Sequence, residues 1–293
     1  MSNFIIDDLK RIAKGDNPLS KIILITVIAF VLENLLSSVI PIKDWFGLPG
    51  GAFNFLLKPW TIVTYMFMHQ GFFHILFNML WLYWMGQILL EYLGKQKVVS
   101  IYFIGGIAGG LTYLVAYNLM TLGTEVTMGP GLIGASAGVM AVVIAVATLL
   151  PDYEVRLFLL GRVPMKYLGI GILVLTSIMD FSINMGGKLA HLGGAAVGFF
   201  FIRNLKTGND WSKPFYGIAN LFSGFFTKKR TMKVVKKPTK NKRKTKEKKN
   251  SVNSIDQQRI DAILDKISAS GYDTLTAEEK EFLFRASNKS NRK

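Results

Sequence analysis

Apolar runs separated by short polar breaks follow one another through the first two-thirds of the chain. An α-helix needs roughly 17–25 apolar residues to cross a bilayer, and the pattern predicts six such spans. They lie over about residues 21–40, 61–90, 98–119, 132–151, 165–183 and 189–204. The stretch 41–60 contains Gly and Trp and follows the first span without crossing. Ahead of the spans, Phe4, Ile5, Leu9, Ile12 and Ala13 recur at helical spacing, which predicts an amphipathic helix on the membrane surface. The start lacks the charged, apolar and small-residue order of a cleaved signal peptide.

Beyond residue 205 the apolar character fades, although 215–226 keeps aromatics that could touch the membrane surface. Residues 228–250 have no aromatic and almost no acid, the composition of a disordered segment. Two helix starts come next. Ser254 with Gln257 forms a capping box ahead of Ile260, Ile263, Leu264 and Ile267, and Thr276 with Glu279 opens a helix holding Phe282, Leu283 and Phe284. The fold expected is all-α: a polytopic bundle of six transmembrane helices with a small C-terminal helical hairpin. Its parts are an N-terminal amphipathic segment (1–18), the six-helix domain (19–205), a basic linker (206–250) and the hairpin (251–293).

Charge sharpens this picture. The chain carries +16, but thirteen Lys and Arg against one Glu between Lys228 and Lys249 supply +12 of it. Such a tail suits anionic lipids at a membrane surface better than nucleic acid, because no stacking side chain accompanies it. Lys10, Arg11, Lys14, Lys95, Lys97, Arg156, Arg162 and Lys166 fall on one side of the spans, against Lys43, Lys58 and Lys188 on the other. The positive-inside rule then places both termini in the cytoplasm. Cysteine is absent, which excludes disulfides and thiolate metal sites.

The candidate chemistry is sparse. The three histidines, His69, His74 and His191, all lie in membrane-grade sequence, where ionisable side chains usually line a cavity or reaction site. A single Gly-x-Ser-x-Gly stretch, Gly134-Ala135-Ser136-Ala137-Gly138, stands between them. Spans two, four and six run in one sense, so His69, His74, Ser136 and His191 share a depth toward the extracytoplasmic side. Gly134 with Gly138, and Gly194 with Gly198, have the small-x-x-x-small spacing that lets membrane helices approach closely. Ser136 needs a positioned base, and His191 is the candidate outside span two. His74 and Asn78, four residues apart on one helical face, could give N–H groups to an oxyanion, joined by the backbone N–H of Ser136 at a helix start. Duller readings exist for each piece: glycines as packing seams, Asn78 as a helix cross-link, the histidines as metal ligands. Metal ligation is disfavoured because His69 and His74, five apart, should not share a helical face and no acid is nearby.

Together these residues resemble the rhomboid family of intramembrane serine proteases. The run His69-x4-His74-x3-Asn78 is similar to the family's second-helix signature, GASAG to its nucleophile motif, and Ala190-His191 with Gly194 and Gly198 to its sixth-helix pattern. The resemblance covers about residues 19–205. It implies Ser136 as nucleophile, His191 as general base, His74 with Asn78 as oxyanion site, and His69 as structural. It implies hydrolysis, without a cofactor, of peptide bonds in or near transmembrane helices of membrane-protein substrates. By the same likeness the cavity opens extracytoplasmically in a bacterial cytoplasmic membrane, and 41–60 shields it from lipid. Ala137 stands where many members have Gly, and Trp60-Thr61 where they often have Trp-Arg. Asp180, late in span five, suits a helix-end or water-facing role rather than a third catalytic one. An alternative is an inactive rhomboid-like protein that binds transmembrane clients. A channel is disfavoured because Glu33 is the only acid well inside a span, with no partner apparent.

Overall fold

Asn17 starts the first long helix. Its side-chain oxygen accepts the Leu19 N–H at 2.9 Å, and Pro18 takes the first helical position, where its missing N–H costs nothing. The computed structural model describes residues 15–122, 131–157, 161–178, 185–218 and 247–290, so the expected amphipathic helix at the N-terminus and Asp180 lie outside the described residues. The chain divides into two compact units, Met1–Lys229 and Arg230–Lys293.

Helix α1 spans Pro18–Leu36 and turns its apolar residues Ile25, Ile28, Val31, Leu32 and Leu35 outward. Three short helices come after it: α2 (Ile42–Phe46), α3 (Ala52–Leu57) and α4 (Thr61–Thr64). This non-crossing region is tied to itself by side chains. Trp60 Nε1 donates to the Trp45 carbonyl at 2.9 Å, Thr64 Oγ1 to the Phe46 carbonyl at 2.8 Å, and Lys58 Nζ to the Asp44 carbonyl at 2.7 Å. Thr61 is buried, its hydroxyl donating to the Lys58 carbonyl at 2.6 Å. Glu33 does have a partner. The chain doubles back after α1 and brings Lys43 Nζ within 2.8 Å of its buried carboxylate, which corrects the sequence expectation.

The second predicted span starts eleven residues later than the hydropathy pattern suggests. After α4 comes one 3-10 turn, Tyr65–Phe67; Met68 and Gly71 are extended, and helix α5 begins at Phe72. Helix α5 (Phe72–Thr121) is two rods, corresponding to spans two and three, meeting at Gly94 (φ 75°, ψ 172°). That backbone conformation is open to glycine and strained for other residues, so one residue suffices to redirect the chain. Lys95, next to it, pairs with Asp16.

Helix α6 (Ser136–Leu149) is the centre of the molecule. Every residue from Ala137 to Ala147 is buried, and its neighbours are the second rod of α5 and helix α8 (Met185–Lys206). Small residues set these contacts. A Cβ on Gly194 would lie 2.1 Å from the Ala137 carbonyl oxygen, and one on Gly198 2.2 Å from that of Ala141. Residue numbers rise together along this seam, so α6 and α8 are parallel. Gly109 meets Ala137 and Gly105 meets Ala141 in the opposite sense, so the α5 rod is antiparallel to α6. The methyl of Ala137 is thus accommodated by glycine at 109, where a Cβ would come within 2.4 Å of it.

An all-α fold needs one amendment. Strands β1 (Glu154–Leu157) and β2 (Gly161–Pro164) pair antiparallel, with Val155 opposite Val163 and Arg156 opposite Arg162. Four-residue strands are too short to leave a periodic signature. Helix α7 (Met165–Leu173) continues into a π-helical turn, Val174–Ile178. Of the described helices, α1, α5 and α8 are long and apolar enough to cross a membrane, while α6 and Met165–Ser177 are shorter apolar segments.

Packing also continues past residue 205. Lys97 and Asp210 pair at 3.7 Å, Trp211 meets Phe201 edge-on, and Phe215, in a helical stretch over 212–218, stacks on Phe103. In the second unit, α9 (Glu247–Ser270) begins seven residues before Ser254, so that serine lies inside the helix rather than capping it. Described helix thus enters the expected linker from both sides, over 212–218 and 247–250. Helix α9 ends at Gly271 (φ 84°), whose N–H donates to the Ile267 carbonyl at 2.8 Å.

The start of α10 (Ala277–Ser290) agrees with the sequence expectation: Thr276 N–H donates to Glu279 Oε2 at 2.8 Å, and Glu279 N–H donates to Thr276 Oγ1 at 3.3 Å. Lys266 Nζ adds a hydrogen bond to Glu279 at 2.9 Å. That hydrogen bond first, and the Thr276 N–H second, hold the Glu279 carboxyl below its ordinary value of 4.5. A depressed carboxylate stabilises the folded form above the unfolded pKa and loses that contribution as pH falls through the folded one. Amide protection in α10, measured by hydrogen exchange on the full chain, is expected to weaken on acidification below about pH 4.5, and Glu279→Gln to flatten the dependence. An unchanged pH dependence in Glu279→Gln would refute this role.

Candidate active site

The approach to α6 explains why Ser136 is presented as it is. Residues 131–135 are irregular: Leu132 pairs with Leu48 through 2.8 and 3.0 Å hydrogen bonds, and the Gly134 N–H donates to the Tyr65 carbonyl at 3.0 Å. Gly134 has φ 127°, a region L side chains rarely adopt. A Cβ there would also come within 3.0 Å of His74 Nε2. Glycine at 134 therefore serves the turn and leaves room for the His74 ring. The helix begins at Ser136 itself, later than the expected start near Leu132, and its first-turn N–H groups lack intrahelical partners.

Four of the sequence candidates line one cavity of about 440 Å³: His74, Asn78, Ser136 and His191. Phe73, Phe77, Trp81, Val139, Met140 and Val143 supply much of its apolar wall. Ser136 comes from the start of α6, His74 and Asn78 from the first two turns of α5, and His191 from α8. The parallel seam explains the last placement. Gly194 rests on Ala137, and His191 lies one turn earlier on the same side of α8, so its ring reaches the level of the α6 start. Gly138 and Gly198 belong to the seam rather than the cavity: a Cβ on Gly138 would lie 2.7 Å from the Tyr102 carbonyl oxygen.

Asn78 spends one amide proton on its own helix, Nδ2 donating to the His74 carbonyl at 2.8 Å, and keeps a second for the cavity. His191 Nδ1 lies 3.2 Å from Ser177 Oγ, a fully buried hydroxyl in the π-helical turn. Thr176, beside it, also lines the cavity. Sequence patterning selects neither hydroxyl. A Thr-Ser pair in an otherwise apolar span is the visible signal, but straight-helix geometry gives no reason to aim Ser177 at span six.

His69 stands apart. It is buried behind the cavity, and its Nε2 accepts the Ala135 N–H at 3.4 Å, holding the residue before Ser136. Its ring meets that of His74 edge-on, with centroids 5.0 Å apart. The expectation that five-residue spacing would separate these rings is corrected because 68–71 is not helical.

A family model described as "Rhomboid domain" matches residues 56–206 of the chain. A family of unknown function matches residues 243–289. Among similar proteins, "RHOMBOID-like protein 12, mitochondrial" of Arabidopsis thaliana is 30% identical over 159 residues, 50% of this chain and 47% of that one. "Rhomboid protease GlpG" of Klebsiella pneumoniae is 33% identical over 89 residues, 30% of this chain and 32% of the relative. "Presenilin-associated rhomboid-like protein A, mitochondrial" of Danio rerio is 28% identical over 145 residues, 48% of this chain and 36% of the relative. The chain thus spans about half or less of the length of these relatives.

Proposed function

Because this chain belongs to the rhomboid family, an integral membrane protein by its apolar helices, we propose that it is an intramembrane serine endopeptidase. The observation that carries the reading is the shared cavity: a hydroxyl, an imidazole and two further N–H donors, brought together by three separate helices. In the proposed reaction Ser136 Oγ attacks a substrate carbonyl carbon while its proton passes to His191 Nε2. The oxygen of the tetrahedral intermediate takes hydrogen bonds from His74, the free amide proton of Asn78 and the Ser136 N–H. His191 then gives its proton to the departing amine. Water, with His191 again as base, releases the acyl group and restores Ser136.

The site would sit below the membrane surface. Fourteen residues of α6 at about 1.5 Å each give a rod of about 21 Å, short of a hydrocarbon core of about 30 Å. In this reading the six spans are α1, the two rods of α5, α6, α7 with its π-helical turn, and α8. The termini are cytoplasmic and the cavity faces the extracytoplasmic side. Substrates would carry Gly, Ala or other helix-weakening residues near the outer end of a transmembrane helix, since a bond locked in a regular helix cannot be presented.

Incubating the purified protein with a single-span model substrate tests the reading. Failure of the wild type to cleave any helix of this kind would favour a client-binding protein instead. Asn78→Ala is expected to lower kcat without abolishing it, by the roughly 100- to 1,000-fold typical of one oxyanion donor, because His74 and the Ser136 N–H remain. A wild-type rate in that variant would remove Asn78 from the oxyanion site.

A further inference from the structure

The hydroxyl pair beside His191 has a direction. Thr176 Oγ1 donates its single proton to the Ile172 carbonyl at 2.8 Å. In its 3.3 Å contact with Ser177 Oγ, the shared proton must therefore come from Ser177. Ser177 has then spent its proton as well, and toward His191 Nδ1, 3.2 Å away, its oxygen can act only as acceptor. With all three contacts as hydrogen bonds, the imidazole holds its hydrogen on Nδ1, and the Thr176 backbone carbonyl is a second acceptor beside the ring. Nε2 is left with a free lone pair, the form a general base requires.

We propose that Ser177, backed by Thr176, is the positioning residue of this site, fixing His191 in its Nδ1–H tautomer by a chain of hydroxyls that ends on a backbone carbonyl. The inference rests on the dyad reading of Ser136 and His191. It assigns to two neutral side chains the orienting task that a carboxylate performs in soluble serine proteases. A neutral acceptor suits an enclosed apolar setting, where an ionised carboxylate would carry a large desolvation cost. The π-helical turn supplies the geometry. Its extra residue per turn rotates the later side chains around the helix axis relative to α-helical winding, which brings Ser177 to the His191 side while Thr176 still faces the cavity. Ser177 is fully buried, so water does not compete for the bond.

The test uses the full-length protein in detergent with a single-span model substrate and nitrogen-15-labelled histidine. With three histidines in the chain, each ring is resolvable, and the shifts of its two nitrogens report which one bears hydrogen. The wild type is expected to show His191 as Nδ1–H at a pH where it is neutral. Ser177→Ala should move the population toward Nε2–H and lower kcat by about 10- to 100-fold with KM unchanged, since a misplaced proton disables the base but not binding. Thr176→Val, nearly isosteric, frees the Ser177 proton to donate to Nδ1 and should shift the tautomer in the same direction. Thr176→Ser, which keeps the hydroxyl, should recover most of the loss. A wild-type His191 found as Nε2–H, or a Ser177→Ala protein with unchanged shifts and kcat, would overturn the proposal. The tautomer is read without substrate, so a wild type that fails to cleave would sink the dyad reading while the labelled ring still decides the role of Ser177.

Discussion

Ser136→Ala is expected to lower kcat for cleavage of a single-span substrate by at least about 10⁴-fold, leaving only the residual rate that oxyanion donors and binding supply, with the fold intact. The reasoning is geometric. Ser136 is the only hydroxyl in the cavity at a helix start, and the change removes one oxygen without disturbing the packed face of α6, which begins at Ala137. His191→Ala is expected to fall as far, because a serine without its base and a base without its serine leave the same residual site. The double variant should be no worse than either single one, the signature of residues acting as a unit. Melting temperatures within a few degrees of wild type would show that chemistry, not folding, was lost. Appreciable turnover in Ser136→Ala would end the serine-protease reading outright.

Gly194→Ala should be nearly as damaging for a different reason. The added Cβ would lie 2.1 Å from the Ala137 carbonyl oxygen and 2.8 Å from its carbon. Both are backbone atoms, more than an ångström short of ordinary contact in the first case, and no rotamer change relieves that. Helices α6 and α8 must separate, at a cost of about 1–3 kcal/mol or more. His191, one turn away, moves with α8. A displacement near 1 Å between reacting groups can cost about 100-fold in rate, so kcat should fall together with thermal stability. Gly171→Ala on α7, where a Cβ would meet nothing within 4 Å, provides the matched control and should lose neither. If Gly194→Ala behaved like that control, the close seam would not be what sets the Ser136–His191 distance.

Much of the site is legible in the sequence because membrane insertion makes polar residues conspicuous. His74, Asn78, Ser136 and His191 stand out as polar groups at a common depth, and one cavity holds all four. The glycine spacing at 194 and 198 foretells which helices touch. What escapes is backbone irregularity, since hydropathy measures side chains and not torsions. The apolar run from Thr61 hides a break at 68–71 that moves His69 off the helix and behind its neighbour. The run from Leu132 hides the turn that makes Ser136 a first-turn residue. The partner of Glu33 is invisible in the sequence because Lys43 reaches it only after the chain reverses. The π-helical turn leaves no mark in composition, so Ser177 looks like an ordinary small residue.

The burial of α6 bears on how the protein is born. A rod whose inner residues are all enclosed cannot be finished until its last neighbour exists, and α8 is the final rod of the bundle to leave the ribosome. While residue 191 is still untranslated, the nascent chain lacks the imidazole that the proposed reaction uses as its base. Under the proposed reaction, synthesis order alone would keep a half-made molecule from cutting the proteins being inserted beside it.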